Sequence, residues 1–480
     1  MPLPAADDDD NPVRLLVVGG GITGLAAAWE AVRGDGTRPP ADVVLVESDT
    51  RLGGKLRTDV SDGLLVEQGP DSFVAYRPAA LTLIDELGMS DEVISVSGVR
   101  TVSLRSRGRL RPLPAGMGMV LPTRLWPFVT TGILSPLDKL RAGCDLVLPR
   151  RLRDGEDVSI GGFLRARLGG GIVQRFADPM VGGIYGAGVD ELSLDAVLPS
   201  LRADEARHRS LMLASLANGR AARGSARGAN SPFRTLAGGM GSLVEALADQ
   251  LTRAGAQLRT GVEVRSLRPS TGGGADAEFS DGGSGTFDAV VLAAGVTGTA
   301  SLLGQAAPAA ASALSRVPLA SSTVVHLAYP ADAFDGPVTT HGWLEAEPAP
   351  ISGVTVSSSK WAGRAPSDLV LIRAFVPGRL GAIAHAPDEE LIATVSGHVA
   401  AVLGAQRGYR SVSVARWPGV MPKYTVGHLS RVAEVEAGLA HLPAWRVAGS
   451  PLRGVGVPDC VADGRRQAAD ALAPGVRSGR

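Results

Sequence analysis

Residues 13–18 (VRLLVV) form an apolar run with no polar alternation after Arg14, the pattern of a short strand buried on both faces. Gly19, Gly21 and Gly24 follow at once, and from Ile22 to Val32 apolar residues recur at helical spacing. A second apolar strand, Asp42–Val46, ends at Glu47, after a long loop (34–40). Downstream the period keeps switching. Residues 77–89 read as an amphipathic helix stopped at Gly88, and residues 99–114 alternate like a hairpin with Arg107-Gly108 near its turn. Residues 134–226 carry a mainly helical period, whereas 219–232 are Gly/Ala/Ser-rich and predict a mobile loop. A glycine turn and helix (233–251), two short strands (255–269) and a buried strand (287–296) come next. Alternating segments at 322–330, 367–377 and 410–417 predict a mixed sheet. A strand within 441–450 and a turn into a last helix (454–472) close the chain.

The opening pattern carries a chemical meaning. In G-x-G-x-x-G the first glycine permits a tight turn, the second lets backbone approach a pyrophosphate, and the third lets the helix pack closely on the strand. The helix N-terminus then presents free N–H groups to the phosphates. A carboxylate at the end of the second strand binds ribose hydroxyls, so Gly19, Gly20, Gly21, Ile22, Thr23, Gly24 and Glu47 are candidate dinucleotide ligands.

Composition sets the outer limits. The 480 residues are too many for one core and predict two to four units. Apolar residues make up 45% and charged residues 20%, with 48 basic and 48 acidic side chains, so no global charge draws in nucleic acid or an anionic surface. Two cysteines, Cys144 and Cys460, can build neither a disulfide framework nor a metal cluster; they predict a reducing, cytoplasmic setting and no metal site. Residues 1–11 read as a disordered acidic tail and not as a signal peptide. The most apolar stretch, 116–136, is broken by Gly, Pro and Arg124, so it predicts an apolar lip or lining and no transmembrane segment.

After Glu47 the chain reads SDTRLGGKLRT (48–58), then EQGPDSF (67–73). Both resemble the flavin-binding amine-oxidase superfamily, and a plain NAD domain has no reason for a second Gly-Gly turn there. MVGGIYGAGVDELSLDAVLPSL (180–201), WPGVMPKYTVGH (417–428) and GVGVPDC (454–460) resemble the protoporphyrinogen/coproporphyrinogen oxidase branch, most of all the bacterial coproporphyrinogen III oxidases. The likeness runs from about residue 13 to 472. The sequence departs from the branch pattern at 186–188, Gly-Ala-Gly for Ala-Gly-Asp, and at Lys423, where Gln is common.

The resemblance implies a mixed α/β flavoprotein in three units: a discontinuous Rossmann-like FAD-binding domain (12–78, 233–300, 441–480), a mixed-sheet substrate domain (99–115, 301–440) and a helical insertion (79–98, 116–232). It implies FAD along Ser48, Arg51, Gly54 and Lys55, with a turn of Gln68, Gly69, Pro70 and Asp71 beside the flavin. Val264 would lie against the adenosine, Trp417 either on the flavin or in the core, and Val455, Gly456 and Val457 in the last flavin turn. The implied reaction is oxidation of a porphyrinogen in haem biosynthesis. Hydride passes to flavin N5, and molecular oxygen takes the electrons and leaves as hydrogen peroxide. No catalytic base is required or evident. A transient contact with the next haem-pathway enzyme is a further implication.

Coproporphyrinogen III carries four propionates and protoporphyrinogen IX two, and more carboxylates call for more cations. Arg100, Arg105, Arg109 and Arg111 on the hairpin and Arg373 in a strand are candidate clamps; a solvated basic hairpin is the other reading. The arginine that grips a propionate in eukaryotic relatives has no clear counterpart, Val102 falling near its position. His341 and Leu344 are candidates to line the macrocycle. Lys55 either tunes the flavin or contacts the pyrophosphate side. His326 reads as a core histidine, Tyr424 and His428 as structural hydrogen-bonders, and Cys460 as a packing residue. An amine oxidase or carotenoid desaturase is a second class, and an inert FAD-bound partner protein a third. The 4% aromatic content and the lack of a Tyr/Trp pair near the C-terminus speak against the amine oxidase.

Overall fold

The computed structural model describes residues 12–34, 39–98, 102–153, 155–223 and 231–473. The acidic tail, Arg100 and residues 224–230 of the 219–232 segment lie outside them.

The opening run becomes the strand Arg14–Val18, and every residue after Arg14 is buried. It is the centre of a five-stranded parallel sheet in the order 257–260, 42–47, 14–18, 289–292, 445–447. These strands come from three distant parts of the chain, and continuous apolar runs suit them because helices cover both faces. The helix Ile22–Arg33 packs on the sheet and against the last helix, Val457–Ala471. Residues 303–317 and 432–439 join this same core.

The hairpin Val102–Ser106/Arg109–Pro112 forms as expected. It extends a seven-stranded sheet in the order 411–422, 319–330, 369–377, 353–356, 342–345, 102–106, 109–112. The sheet is mixed because 342–345 and 102–106 run parallel while the other neighbours are antiparallel. Helix Asp388–Leu403 packs its Leu391, Val395 and Val399 under it.

Residues 120–212 build a helical body with a separate apolar core. Inside it, Val173–Gly182 is wound as a π-helix that contains Pro179. Such widened turns accommodate what a regular helix cannot, here a proline within the element. The loop expected from residue 219 does not begin there: helix Leu211–Arg223 continues through it. Ala and Arg are strong helix formers, and that propensity outweighs the low-complexity composition.

The turn between the first strand and helix tolerates little. A Cβ at Gly24 would sit 1.9 Å from the Gly19 carbonyl oxygen. Gly24→Ala is therefore expected to destabilise the protein by about 2–3 kcal/mol. Gly143→Ala, whose Cβ would meet nothing within 4 Å, should be neutral. Denaturant unfolding of the two variants checks the contrast.

Candidate active site

At the C-terminal ends of the parallel strands three backbone turns meet. Gly19 N–H donates to the Val46 carbonyl (2.8 Å), Gly53 N–H to the Gly20 carbonyl (2.8 Å) and Ala293 N–H to the Val18 carbonyl (2.7 Å). Gly19 has φ +107°, and a Cβ there would lie 2.7 Å from the Ala293 oxygen. The helix that starts at Ile22 has no side-chain cap, nor has the closing helix that starts at Val457. Uncapped N-termini leave N–H groups available to an anion.

These turns border a cavity of about 780 Å³, at the upper end of the range for ligand sites. Of the residues expected at the cofactor, Gly19, Gly21, Ile22, Thr23, Glu47, Ser48, Arg51, Gly54, Lys55, Gln68, Gly69, Pro70, Val264, Trp417, Val455 and Val457 line it. Gly20, Gly24, Asp71 and Gly456 stand behind that lining. Glu47 accepts from Gly20 N–H (2.6 Å) and Asp49 N–H (2.8 Å), so its carboxylate is oriented by backbone. Residues 261 and 262 bond to the carbonyls of Asp49 and Glu47, which brings Val264 to the same end.

The other end is built by long-range contacts. Lys55 Nζ donates to the Val420 carbonyl (2.9 Å) and reaches Ser450 Oγ (3.5 Å). Burial pushes its pKa down, while the neighbouring Cys460 acts in the opposite sense. Trp417 Nε1 donates to the Gln68 carbonyl (2.8 Å), and Arg373 donates to the Gly69 carbonyl. The Asp71 carboxylate turns away from the cavity, accepting from Lys360 Nζ (2.9 Å) and Trp361 Nε1 (3.0 Å) with Arg373 at 3.6 Å. Burial favours its neutral form, yet Lys360 and Arg373 together hold the carboxyl well below its usual range. Asp71 and Arg373 thus pin the 68–70 turn.

The substrate candidates are scattered. Arg105 lies 3.5 Å from Glu345 and lines a separate small cavity with His398. His341 and Arg373 are buried outside the main cavity, and Leu344 packs on the helical body. The lining also includes Cys460, read from the sequence as a packing residue, and residues not named there as site candidates: Ala293–Gly295, Ile184, Gly186, Ser321, Ser322 and Phe375. A buried strand ending in Ala-Ala-Gly was the available signal for the first of these; the serines carry none.

A family model for flavin-containing amine oxidoreductases matches residues 22–472, from the helix of the glycine turn to the end of the closing helix. The chain belongs to that family. The coproporphyrinogen III oxidase of Propionibacterium freudenreichii subsp. freudenreichii is 55% identical over 497 residues, 98% of this chain and 92% of that protein. That of Bacillus subtilis is 32% identical, over 96% of this chain and 98% of that protein. A solved structure from Exiguobacterium sp. 255-15 superposes with a TM-score of 0.82 at 30% identity, covering 96% of this chain and 98% of that one. The protein is a flavin-dependent oxidoreductase of the protoporphyrinogen/coproporphyrinogen oxidase branch.

The cavity fits the flavin on its own evidence. A Cβ at Gly21 would meet no protein atom within 4 Å, so the space beside this glycine is kept for something other than protein. Gly21→Ala is expected to unfold like the wild type while losing tenfold or more in flavin affinity; flavin absorbance after gel filtration checks it. Glu47→Ala should likewise lose flavin far more than stability.

The histidines behave as structural groups. His326 Nε2 bonds the Glu67 carbonyl (2.9 Å), and His428 Nε2 bonds the Leu452 carbonyl (3.0 Å) beneath a stacked Tyr424. Tyr424 donates to the Ser450 carbonyl (2.7 Å). Burial, aided by Arg373, lowers His326 to about 4, and burial lowers His428 to about 4 from 6.5. Between those values the unfolded chain holds more protons than the folded one, so this stability is complete above about 6.5 and is lost as pH falls toward 4. The stability–pH slope in that window should flatten in His428→Gln by ~1.4 kcal/mol per pH unit.

Proposed function

We propose that this chain is an FAD-dependent coproporphyrinogen III oxidase. The observation that carries the reading is the continuity of one cavity. It runs from Glu47 through the glycine turns to a chamber bounded by Ile184, Leu319, Val324, Phe375 and Met421. A dinucleotide stretched along the turns would place its ring system beside Lys55, Trp417 and the 68–70 turn, with an apolar chamber next to it for a flat macrocycle. The near-full-length likeness to enzymes named coproporphyrinogen III oxidase supports the same substrate.

The bound flavin would supply two-electron oxidation of the macrocycle's methylene bridges, with molecular oxygen as acceptor. The residues do the rest. The uncapped N-terminus of the closing helix favours negative charge on the cofactor. Lys55 sets a cation in a poorly solvated place, Trp417 and Arg373 fix the turn that faces the ring, and the apolar walls keep water off the reacting carbon. No side chain needs to act as a strong base, because aromatisation drives the reaction. The parallel-sheet core, which also takes in residues 80–89, 303–317 and 432–439, would serve the cofactor, the mixed sheet the substrate and the helical body the insertion, and the free thiols Cys144 and Cys460 suit a cytoplasmic enzyme. Among the described residues, no helix is long and apolar enough to cross a membrane.

Aerobic oxidation of coproporphyrinogen III and protoporphyrinogen IX, followed by porphyrin fluorescence, tests the reading. A kcat/KM for the tetrapropionate about tenfold or more higher is expected, the size of one added charge-assisted contact. A preference for protoporphyrinogen IX would overturn the substrate, and no turnover by flavin-loaded protein would overturn the function.

A further inference from the structure

Among the described residues the cations lining the cavity are Arg51, Lys55 and Arg265. Arg51 and Arg265 belong to the nucleotide end, so the chamber's outer end is lined by serines and apolar groups and holds no charge to meet a carboxylate. Two cations flank that end. Lys423 follows the lining residues Met421 and Pro422, and its Nζ lies 2.8 Å from Glu191 Oε2. Arg379 stands two residues past the lining Pro377, with Nη1 3.6 Å from Asp178 Oδ2. The acids come from the helical body, on either side of Gly183, Ile184 and Gly186, which also line the cavity. The four groups form one cluster, since Arg379 helps Lys423 to hold the Glu191 carboxyl below its usual range.

Gly188 lies between the two acids. Its N–H donates to Glu191 Oε1 (3.3 Å), and a Cβ on it would come 3.8 Å from that oxygen and 3.9 Å from Asp178 Oδ1. An aspartate at 188, as in the branch pattern, would add a third carboxylate to this cluster. The two departures noted in the sequence, Gly188 and Lys423, therefore fall on one spot, and both make it more positive.

Resting on the substrate reading above, we infer that Lys423 and Arg379 form a carboxylate clamp at the cavity mouth that distinguishes four propionates from two. A macrocycle lying in the chamber turns one edge toward this opening. Propionates on that edge meet two cations whose present partners are half-exposed acids, pairs that contribute little to folding and release their cations readily. Vinyl groups on that edge would leave both cations facing apolar atoms. The charge-assisted contacts form only with the more acidic macrocycle.

The test is equilibrium binding of coproporphyrin III and protoporphyrin IX to flavin-loaded protein, read by fluorescence and independent of turnover. Lys423→Gln and Arg379→Gln are each expected to weaken coproporphyrin III binding about five- to tenfold and to change protoporphyrin IX binding less than twofold. Gly188→Asp should weaken coproporphyrin III similarly, whereas Gly188→Ala, which adds the Cβ without charge, should not. Unchanged binding, or equal loss with both porphyrins, in variants that unfold like the wild type overturns the clamp. A selective loss in a protein that fails to oxidise either porphyrinogen would leave the clamp standing and sink the oxidase reading alone.

Discussion

Backbone must approach backbone without side chains in between: that constraint shapes the rest of the molecule. The turns after strands 14–18 and 289–292 and the Gly53-Gly54 turn all converge at the C-terminal edge of one parallel sheet. Each contact, Gly53 to Gly20, Gly19 to Val46, Ala293 to Val18, is a peptide hydrogen bond at 2.7–2.8 Å. A Cβ at Gly19 or Gly24 would collide with the Ala293 or Gly19 carbonyl oxygen, so these turns require glycine there, and they leave a row of amides and two uncapped helix ends facing one cavity. A parallel sheet supplies it naturally, since every strand ends on the same edge.

The ring end of the cavity depends on a second kind of fixing. The Gln68–Pro70 turn is held by Trp417 from one strand of the mixed sheet and by Arg373 from another. Arg373 is in turn paired with Asp71, whose carboxylate also accepts from Lys360 and from the buried indole of Trp361. A buried charge cluster is costly unless its members satisfy one another. Here that cost is offset by positioning: the sheet that walls the chamber and the turn that faces the ring are tied into one piece.

What could be read from the sequence follows from this difference. The glycine turn, Glu47 and the final helix were legible because their demands are local: a run of apolar residues, a spacing, a residue with no Cβ. The hairpin at 102–112 was legible from its alternation. Asp71 was expected beside the flavin, and Arg105 and Arg373 on the propionates; the structure pairs these charges with Lys360, Glu345 and Asp71 instead. Nothing at positions 71 or 105 announces a partner hundreds of residues away. The four-residue strands at 342–345 and 353–356 were too short to declare a period, and the π-helix at 173–182 has no pattern of its own. Resemblance supplied the function class; the geometry supplied the reason that the chamber and cradle are one space.

The most direct measurement of the central claim is anaerobic rapid mixing of the flavin-loaded protein with coproporphyrinogen III. The flavin's visible absorption is expected to bleach on mixing as the macrocycle gives up its first two electrons, and to return when oxygen is admitted, porphyrin accumulating only then because the full oxidation takes three two-electron rounds. An absorption band that stays oxidised while the macrocycle binds would contradict it, because cradle and chamber would then not place the two reactants together.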